Sequence, residues 1–451
     1  MNSRPFKAMA LVALAGCAAV GPDYVAPSAD VSARFVGGDA QPLATRSVSD
    51  WWTGFNDRRF DTLVARGLNQ NLDIQTAFER IQTAEARLGT TGLNAQTQGG
   101  LTATTQRDGG EGLPTVTNDR ATLSGTFILD LFGGVRRGRE QTFAGYQAAQ
   151  FDAGTVRLAY LSAVIGGYAD ARYFQEALEL TRQTVASRQR TLNLVLSQRE
   201  IGSAADLEVA QAQAQLDSAK ANLPPLENGF NLSVFRIATL LAEPAGPILT
   251  ELQRGAPQLF PPASAQTGIP ANLLRNRPDV LAAERRYAAA VAAIGVAEAQ
   301  LYPSLDISGS ITDRTATTWG FGPTVTMPVF NQGFLRANRD VAVSAAREAE
   351  LNWRAAVLSA VEEVQTATST NIRARREVAA LRDVVTSNER LLDLTRASYE
   401  GGSSSLLDLL DAERAAAAAR LSLAAAVRDA STAWVRLQIS TGNGWAIATP
   451  N

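Results

Sequence analysis

The chain has 451 residues, of which 45% are hydrophobic, and a formal net charge of −2. This balance gives no reason to expect a nucleic-acid partner, because binding to phosphates depends on an excess of lysine and arginine. Histidine is absent, which removes the commonest general base and the commonest metal ligand together. A single cysteine excludes disulfides within the chain and sites built from several thiolates. We therefore expect neither an enzyme nor a bound cofactor or metal.

The first 16 residues have the features of a secretory leader. Arg4 and Lys7 precede an apolar run over 8–15 that is too short to cross a bilayer as a helix. The run ends in the sequence LAGC, which resembles the cleavage motif of bacterial lipoproteins, where the cysteine becomes acylated. Ala18 follows, whereas an aspartate would retain such a lipoprotein in the inner membrane. We predict lipidation of Cys17 and an outer-membrane location in a Gram-negative bacterium; the alternative is a signal peptide with a chance cysteine.

The segment 17–50 is rich in proline, glycine, serine and alanine, and it predicts a lipidated, extended tether. From Trp51 to Gly89 the apolar residues recur at helical spacing. Near 97–130 the period becomes two, so that apolar residues alternate with serine and threonine in two stretches. A polar, glycine-rich segment over 107–119 separates these stretches. The pattern predicts two β-strands joined by a loop.

A very long helix is predicted over 135–200, where no proline occurs. At 1.5 Å per residue it is roughly 100 Å long, and a rod of this length must pair laterally with other helices. Gly202 ends the helix, because glycine adopts the left-handed conformation of a helix C-terminus without strain. A return helix follows over 203–241, with a kink expected at Pro224-Pro225.

The second half of the chain repeats this order of elements. Six prolines between 244 and 270 predict a crossover linker over 244–269, and the tail is 441–451. The second repeat, 270–440, has a helix, two strands near 304–329, a long helix over 334–400 and a return helix over 405–440. It matches the first repeat, 51–243, at an offset of about 200 residues. A duplication of this length indicates one structural unit used twice, with the two copies packed against each other.

The helical hairpins also share their turn and cap signals. Gly202 and Ser203 correspond to Gly402 and Ser403, with Gly401 preceding the second turn. Pairs of a serine and an acid three residues apart predict capping boxes at the starts of both return helices. These pairs are Ser203 with Asp206 and Ser405 with Asp408.

Four strands determine the predicted assembly. A sheet with one apolar and one hydroxyl-rich face suits the wall of a membrane barrel, although an ordinary half-buried sheet alternates in the same way. Open sheet edges cannot remain in lipid, and four strands are too few to close a barrel. We therefore expect a mixed, mostly α-helical fold and a homotrimer. Its twelve-stranded transmembrane β-barrel would be continuous with a periplasmic α-helical barrel.

Several short motifs resemble a known family, the outer-membrane efflux proteins or TolC-like outer membrane factors. Within it they are most similar to the lipoprotein branch related to OprM and NodT of RND-type efflux systems. The resemblance covers nearly the whole mature chain in the family's order. The matching segments are Cys17, GPDY at 21–24, WW at 51–52, DLFG at 130–133, NRPDV at 276–280, AQLYP at 299–303 and the run from Gly402 to Arg414.

The resemblance implies a passive exit duct for small molecules such as drugs, toxins or metals. Its partners would be a periplasmic adaptor (membrane fusion protein), an inner-membrane RND-type pump and outer-membrane lipid. The adaptor would dock at the tip formed by the two hairpin turns, at Gly202, Ser203, Gly401, Gly402 and Ser403.

The resemblance also implies a periplasmic gate at Leu407 and Asp411, with Asp408 and Arg414 close to the same helical face. Three leucines would form an apolar plug, and three Asp411 carboxylates an acidic ring that favours cations. The first repeat has Gln211 in place of Asp411, so the ring would come from one repeat only. The alternative is an ordinary packing residue beside a solvated charge.

Two other functional classes fit parts of the sequence. A secreted structural or adhesive coiled-coil lipoprotein explains the rods and Cys17, but it explains neither the duplicated strand pairs nor the crossover. An enzyme could use Asp408, Asp411 and Glu413 as paired carboxylates. Acids near the start of a helix are more often solvated or favoured by the helix dipole, however.

Overall fold

The computed structural model of the protein describes residues 19–28, 32, 35–36, 50–262, 272–273 and 276–446. Cys17, the predicted leader and most of the predicted tether lie outside these residues. The helices are α1 (Arg58–Gln70), α2 (Leu72–Gly89), α3 (Leu93–Gln96), α4 (Gly134–Glu200), α5 (Asp206–Ala221), α6 (Leu223–Leu240), α7 (Ala245–Gln253), α8 (Pro278–Ala299), α9 (Gln332–Glu400) and α10 (Leu406–Ser440). The strands are β1 (Thr97–Gly110), β2 (Leu113–Leu129), β3 (Ser304–Asp313) and β4 (Thr318–Thr326).

The chain divides into two compact units that do not coincide with the two sequence repeats. The strand unit contains the N-terminal segment up to Asp30, Ala77–Ala153 and Pro278–Leu358. The hairpin unit contains Val31–Thr76, Gly154–Arg277 and Ser359–Asn451. Each unit therefore takes residues from both repeats, as expected when duplicated elements pack against each other.

The four strands of the strand unit form one antiparallel sheet in the order β1-β2-β3-β4. The sequence prediction of four strands is thus confirmed. The predicted loop over 107–119 is wrong, because the two strands continue through it and pair Arg107 with Thr117. Neither face of this extension is apolar, so no alternation of apolar and polar residues marks it as strand.

The two long helices predicted from the absence of proline are α4 and α9. They contain 67 and 69 residues. None of the helices in the described part of the chain is both long enough and apolar enough to cross a membrane. The first return helix is broken where the two prolines lie: α5 ends at Ala221, and the prolines occupy the first turn of α6. Proline fits there, because the first backbone N–H groups of a helix have no partner within it.

Two predicted connecting segments are more ordered than their composition suggests. The linker includes helix α7, in which Ile248 and Leu252 are buried in the core of the hairpin unit. The start of the predicted tail is also packed, because Trp51 donates its indole N–H to the carbonyl of Asn443 at 3.2 Å. Composition indicates proline-rich connections, whereas the buried apolar residues decide which parts of them fold.

The core of the hairpin unit is aromatic. Trp434 packs edge-on against Trp51 and Phe55, with ring centroids 5.3 and 4.9 Å apart. Below this cluster, Tyr168 donates to the Asp57 carboxylate at 2.5 Å and accepts from Arg172 at 2.7 Å. Asp57 also caps α1 by accepting from the backbone N–H groups of Arg59 and Phe60. Burial and the bond to Asp57 raise the pKa of Tyr168, which keeps it neutral.

Candidate functional site

The sheet carries two chemically different faces, and the pairing register shows them row by row. One row across all four strands consists of Leu101, Leu123, Ile311 and Trp319. The next row, on the other face, consists of Thr102, Thr122, Thr312 and Thr318. The apolar row is open to the surroundings: Leu101 is 72% exposed and Trp319 is 80% exposed. A sheet that exposes large apolar residues on one face and hydroxyls on the other suits a wall between lipid and water.

The sheet ends in two edges. Within the described residues β1 pairs only with β2, and β4 only with β3. Each edge strand therefore presents backbone donors and acceptors that have no partner in the sheet. In a hydrocarbon environment every such group costs several kcal/mol.

Residues 19–24, which include the GPDY motif at 21–24, form a strap on the strand unit. Val20 N–H donates to the Phe132 carbonyl at 3.0 Å, which places the strap just beyond the end of β2. The buried Arg137 donates to the carbonyls of Val20 and Gly21 and, at 2.7 Å, to the Asp23 carboxylate. Predicted as part of a tether, this segment is held by contacts that its composition does not reveal.

The DLFG motif at 130–133 connects β2 to α4. Asp130 accepts from the backbone N–H groups of Val135 at 3.1 Å and Arg136 at 2.9 Å, and so satisfies the start of the long helix. Gly133 has φ of +78°, and a Cβ there would lie 2.5 Å from the Cβ of Ala19. The motif therefore has a structural role, joining a strand, a helix and the strap.

The NRPDV motif at 276–280 has a comparable role in the hairpin unit. Arg277 donates to the Glu363 carboxylate at 2.6 Å and to the Ser440 carbonyl at 3.1 Å. The carbonyl of Asn276 accepts from the Trp445 indole at 2.6 Å. The motif holds the end of α10.

The two hairpin turns are built alike, as the duplication predicts. Gly202 and Gly402 have φ of +75° and +72°. Ser203 N–H donates back to the Gln198 carbonyl at 2.8 Å, and Ser403 N–H donates to the Ser398 carbonyl at 2.8 Å. These bonds close the ends of α4 and α9.

One predicted cap is confirmed and the other is wrong. Ser405 caps α10: its hydroxyl accepts from Asp408 N–H at 3.3 Å, and its own N–H donates to the Asp408 carboxylate at 3.0 Å. Ser203 does not cap α5, because its hydroxyl bonds back to the Gln198 carbonyl at 2.9 Å. The first residue before α5 is Ala205, whose N–H donates to Glu208 at 2.8 Å. The second repeat thus has a hydroxyl cap where the first repeat has none.

The predicted gate residues share one face at the start of α10. Leu407 is 56% exposed, and the side chains of Asp411 and Arg414 are 57% and 59% exposed. The remaining side of the helix near its start is buried, with Leu406, Leu409 and Leu410 packed in an apolar cluster with residues of α4 and α9. Arg414 and Asp411 form an ion pair within the helix. The Ser405 hydroxyl and N–H bind the Asp408 carboxylate and lower its pKa below the ordinary value.

Two polar links between the hairpins were not predicted from the sequence. The Tyr399 hydroxyl donates to the Gln198 side-chain oxygen at 2.6 Å, which joins α9 to α4. Glu413 is buried and accepts from Ser187 and Thr191 of α4. Burial lowers the pKa of the nearby Arg188, and the Glu413 charge opposes that effect. No spacing signal marks such links, since each partner comes from the other repeat.

A strand pair used twice, two long helical hairpins and a sheet with an exposed apolar face define the subunit of a membrane channel. The family described as "Outer membrane efflux protein" matches residues 63–243 and 269–443. The chain belongs to this family.

Known relatives are similar to this chain over almost the full length of both proteins. Nodulation protein T of Rhizobium leguminosarum bv. trifolii is 37% identical, covering 96% of this chain and 95% of that protein. The toluene efflux pump outer membrane protein TtgF of Pseudomonas putida is 29% identical, with coverage of 96% and 95%. The open-state MtrE outer membrane channel of Neisseria gonorrhoeae superposes with a TM-score of 0.85 at 26% identity, covering 95% of this chain and 98% of that chain.

The comparisons confirm the predicted family, fold class and function. The protein is an outer-membrane efflux channel component, and it is a passive channel, not an enzyme. The structural rod considered from the sequence is therefore rejected.

The cap difference between the repeats gives a paired prediction. Ser405→Ala should destabilise the first turn of α10 by about 1 kcal/mol, and Ala205→Ser should stabilise the first turn of α5 by a similar amount. Hydrogen exchange of the two turns, followed by mass spectrometry, measures both effects. Part of the stabilisation by Ser405 comes from its bonds to the Asp408 carboxylate. This part is fully present above the pKa that the carboxyl has in the unfolded chain, and it is lost as the pH falls through the lower pKa of the folded state. Unchanged exchange in both variants would contradict the assigned caps.

Proposed function

We propose that the protein works as a homotrimer in which three copies of the four-stranded sheet close into a twelve-stranded barrel. The unpaired backbone groups of β1 and β4 support this proposal, because pairing one copy's β1 with the next copy's β4 satisfies both edges. Three copies close a ring, whereas one copy cannot. The threonine row then faces water, and the row that ends in Trp319 faces lipid.

Helix α9 offers a second surface for the neighbouring copies. Its strand-unit part exposes four large apolar residues, each more than 60% accessible. They are Phe334, Val341, Leu351 and Leu358. These residues fall within about 120° around the helix axis and so form one apolar face. Such a face is typical of a helix that packs against a partner.

The partners are a periplasmic adaptor and an inner-membrane pump of the RND type. The relatives named as efflux-pump outer membrane proteins support this proposal. The adaptor docks at the turns that contain Gly202, Ser203, Gly401, Gly402 and Ser403. Ile201, next to the first turn, is 80% exposed and available for such a contact. The pump supplies energy and selection, and this chain provides the exit for small molecules.

The chain is anchored to the outer membrane through acylation of Cys17. The strap supports this proposal, because residues 19–21 are fixed just beyond the end of β2. The strap thus fixes the chain from residue 19 onwards beside the sheet that is proposed to cross the membrane. Cells fed labelled palmitate should acylate the wild type but not Cys17→Ala; a wild type without label would contradict the anchor.

The gate is the exposed face of α10 with Leu407, Asp408, Asp411 and Arg414. The single observation that carries this proposal is that the same chain buries the other faces of the helix and leaves this one free for its copies. Leu407 side chains meet as an apolar plug. The Asp411–Arg414 pairs make a ring of alternating positive and negative charge. The Asp408 carboxylates, each bound by Ser405, lie beside this ring. An exposed ion pair contributes only about 0–1 kcal/mol, so the ring can rearrange when the gate opens.

The gate has a matched control in the first repeat. Leu407→Ala/Asp411→Ala should turn small, rare openings into large, steady ones in planar bilayers, and should admit large antibiotics into cells. Leu207→Ala/Gln211→Ala changes the equivalent positions, where Leu207 is 67% exposed, and should leave both properties unchanged. Equal effects of the two double variants would mean that both act by destabilising the hairpins, which would contradict the gate assignment. No effect of either would remove these residues from the gate.

A further inference from the structure

A buried carboxylate lies behind the gate face. The Glu413 side chain is 3% exposed and stands on α10 between two other helices. One of its oxygens accepts from Thr191 Oγ1 at 2.9 Å and Ser187 Oγ at 3.0 Å, both on α4. The same oxygen lies 3.3 Å from the Arg396 guanidinium of α9, which also donates to Ser187 Oγ at 2.9 Å. We call these four residues the Glu413 junction.

The packing of the hairpins does not require this junction. At the equivalent position of the first repeat, Gln213 is exposed and donates to Asp217 of its own helix at 2.9 Å. The neighbouring positions are buried in both repeats, as Ala212 and Ala412 show. At this position the second repeat therefore has a buried carboxylate, whereas the first repeat has an exposed glutamine. Buried ion pairs rarely add net stability, and some are retained because they specify one arrangement.

The junction and the gate occupy different faces of one rigid helix. At 100° per residue, Glu413 is about 160° from Asp411 and about 120° from Leu407 around the axis of α10. A helix held through Glu413 against α4 must therefore turn Leu407 and Asp411 away from α4. The junction thus determines where the gate residues point.

The junction is also incompletely satisfied. The second carboxylate oxygen of Glu413 is buried and has no hydrogen-bond partner. A buried acceptor without a partner reduces the stability of the arrangement that contains it. This is the property expected of a contact that is broken and re-formed when a helix moves.

We propose that Glu413 is a positioning residue that holds α10 in the closed orientation of the gate, and that breaking the Glu413 junction releases α10 from α4 and opens the channel. This inference rests on the proposed gate at Leu407 and Asp411. It adds the contact that fixes the closed state.

The test is the single-channel open probability of the detergent-purified full-length protein. Glu413→Ala should raise the open probability about tenfold or more, because the closed state loses its link to α4. Thr191→Val removes one hydroxyl at constant shape and should act in the same direction with a smaller effect. Glu413→Gln keeps an acceptor for Ser187 and Thr191 and should remain closer to the wild type. Gln213→Ala is the matched control and should change nothing.

The other outcomes separate this inference from the gate itself. If Leu407→Ala/Asp411→Ala opens the channel while Glu413→Ala and Thr191→Val behave as the wild type, the positioning role is wrong and the gate stands. If none of these variants opens the channel, the proposed gate fails as well. A lower thermal midpoint with an unchanged open probability would assign Glu413 a structural role only. If Glu413→Ala does not fold, the isosteric Thr191→Val decides the question.

Discussion

The structure depends on one constraint, which is that a sheet exposed to lipid cannot keep unpaired edges. The four strands present an apolar row from Leu101 to Trp319 on one face and a threonine row on the other. They also end in two open edges, β1 and β4. Burying the apolar face in a membrane requires those edges to close, and a single chain does not have enough strands to close them. The strand count thus supports the proposed ring of identical copies.

The duplication supplies the same hairpin twice, and the proposed gate depends on the differences between the two copies. Both turns use a glycine with positive φ and the same returning backbone bonds. Only the second hairpin has a serine cap, an Asp411–Arg414 pair and a buried Glu413. The proposed gate face and the buried Glu413 contact thus both lie in the second copy.

The sequence predicted the features that depend on local pattern. Period-two alternation located the strands, the absence of proline located α4 and α9, and Ser405 with Asp408 marked a true cap. The predicted loop over 107–119 was wrong, because strands exposed on both faces lack the apolar alternation that signals them. The Ser203 cap was wrong because a hydroxyl near a turn can bond to the preceding helix as readily as to the following one. The links of Tyr399 to Gln198, of Glu413 to Thr191 and of Arg137 to Asp23 could not be found, because each joins residues more than a hundred positions apart.

The most direct test of the account is disulfide cross-linking between the two sheet edges. Thr318→Cys on β4 is combined in turn with Gly100→Cys, Thr102→Cys or Thr104→Cys on β1, which lie on one face of the strand and cover successive registers between copies. Within one chain these edges are about 14 Å apart, too far for a disulfide. At least one pair should give covalent species that end at three chains. No cross-link for any pair, or products that end at two chains or continue beyond three, would contradict it.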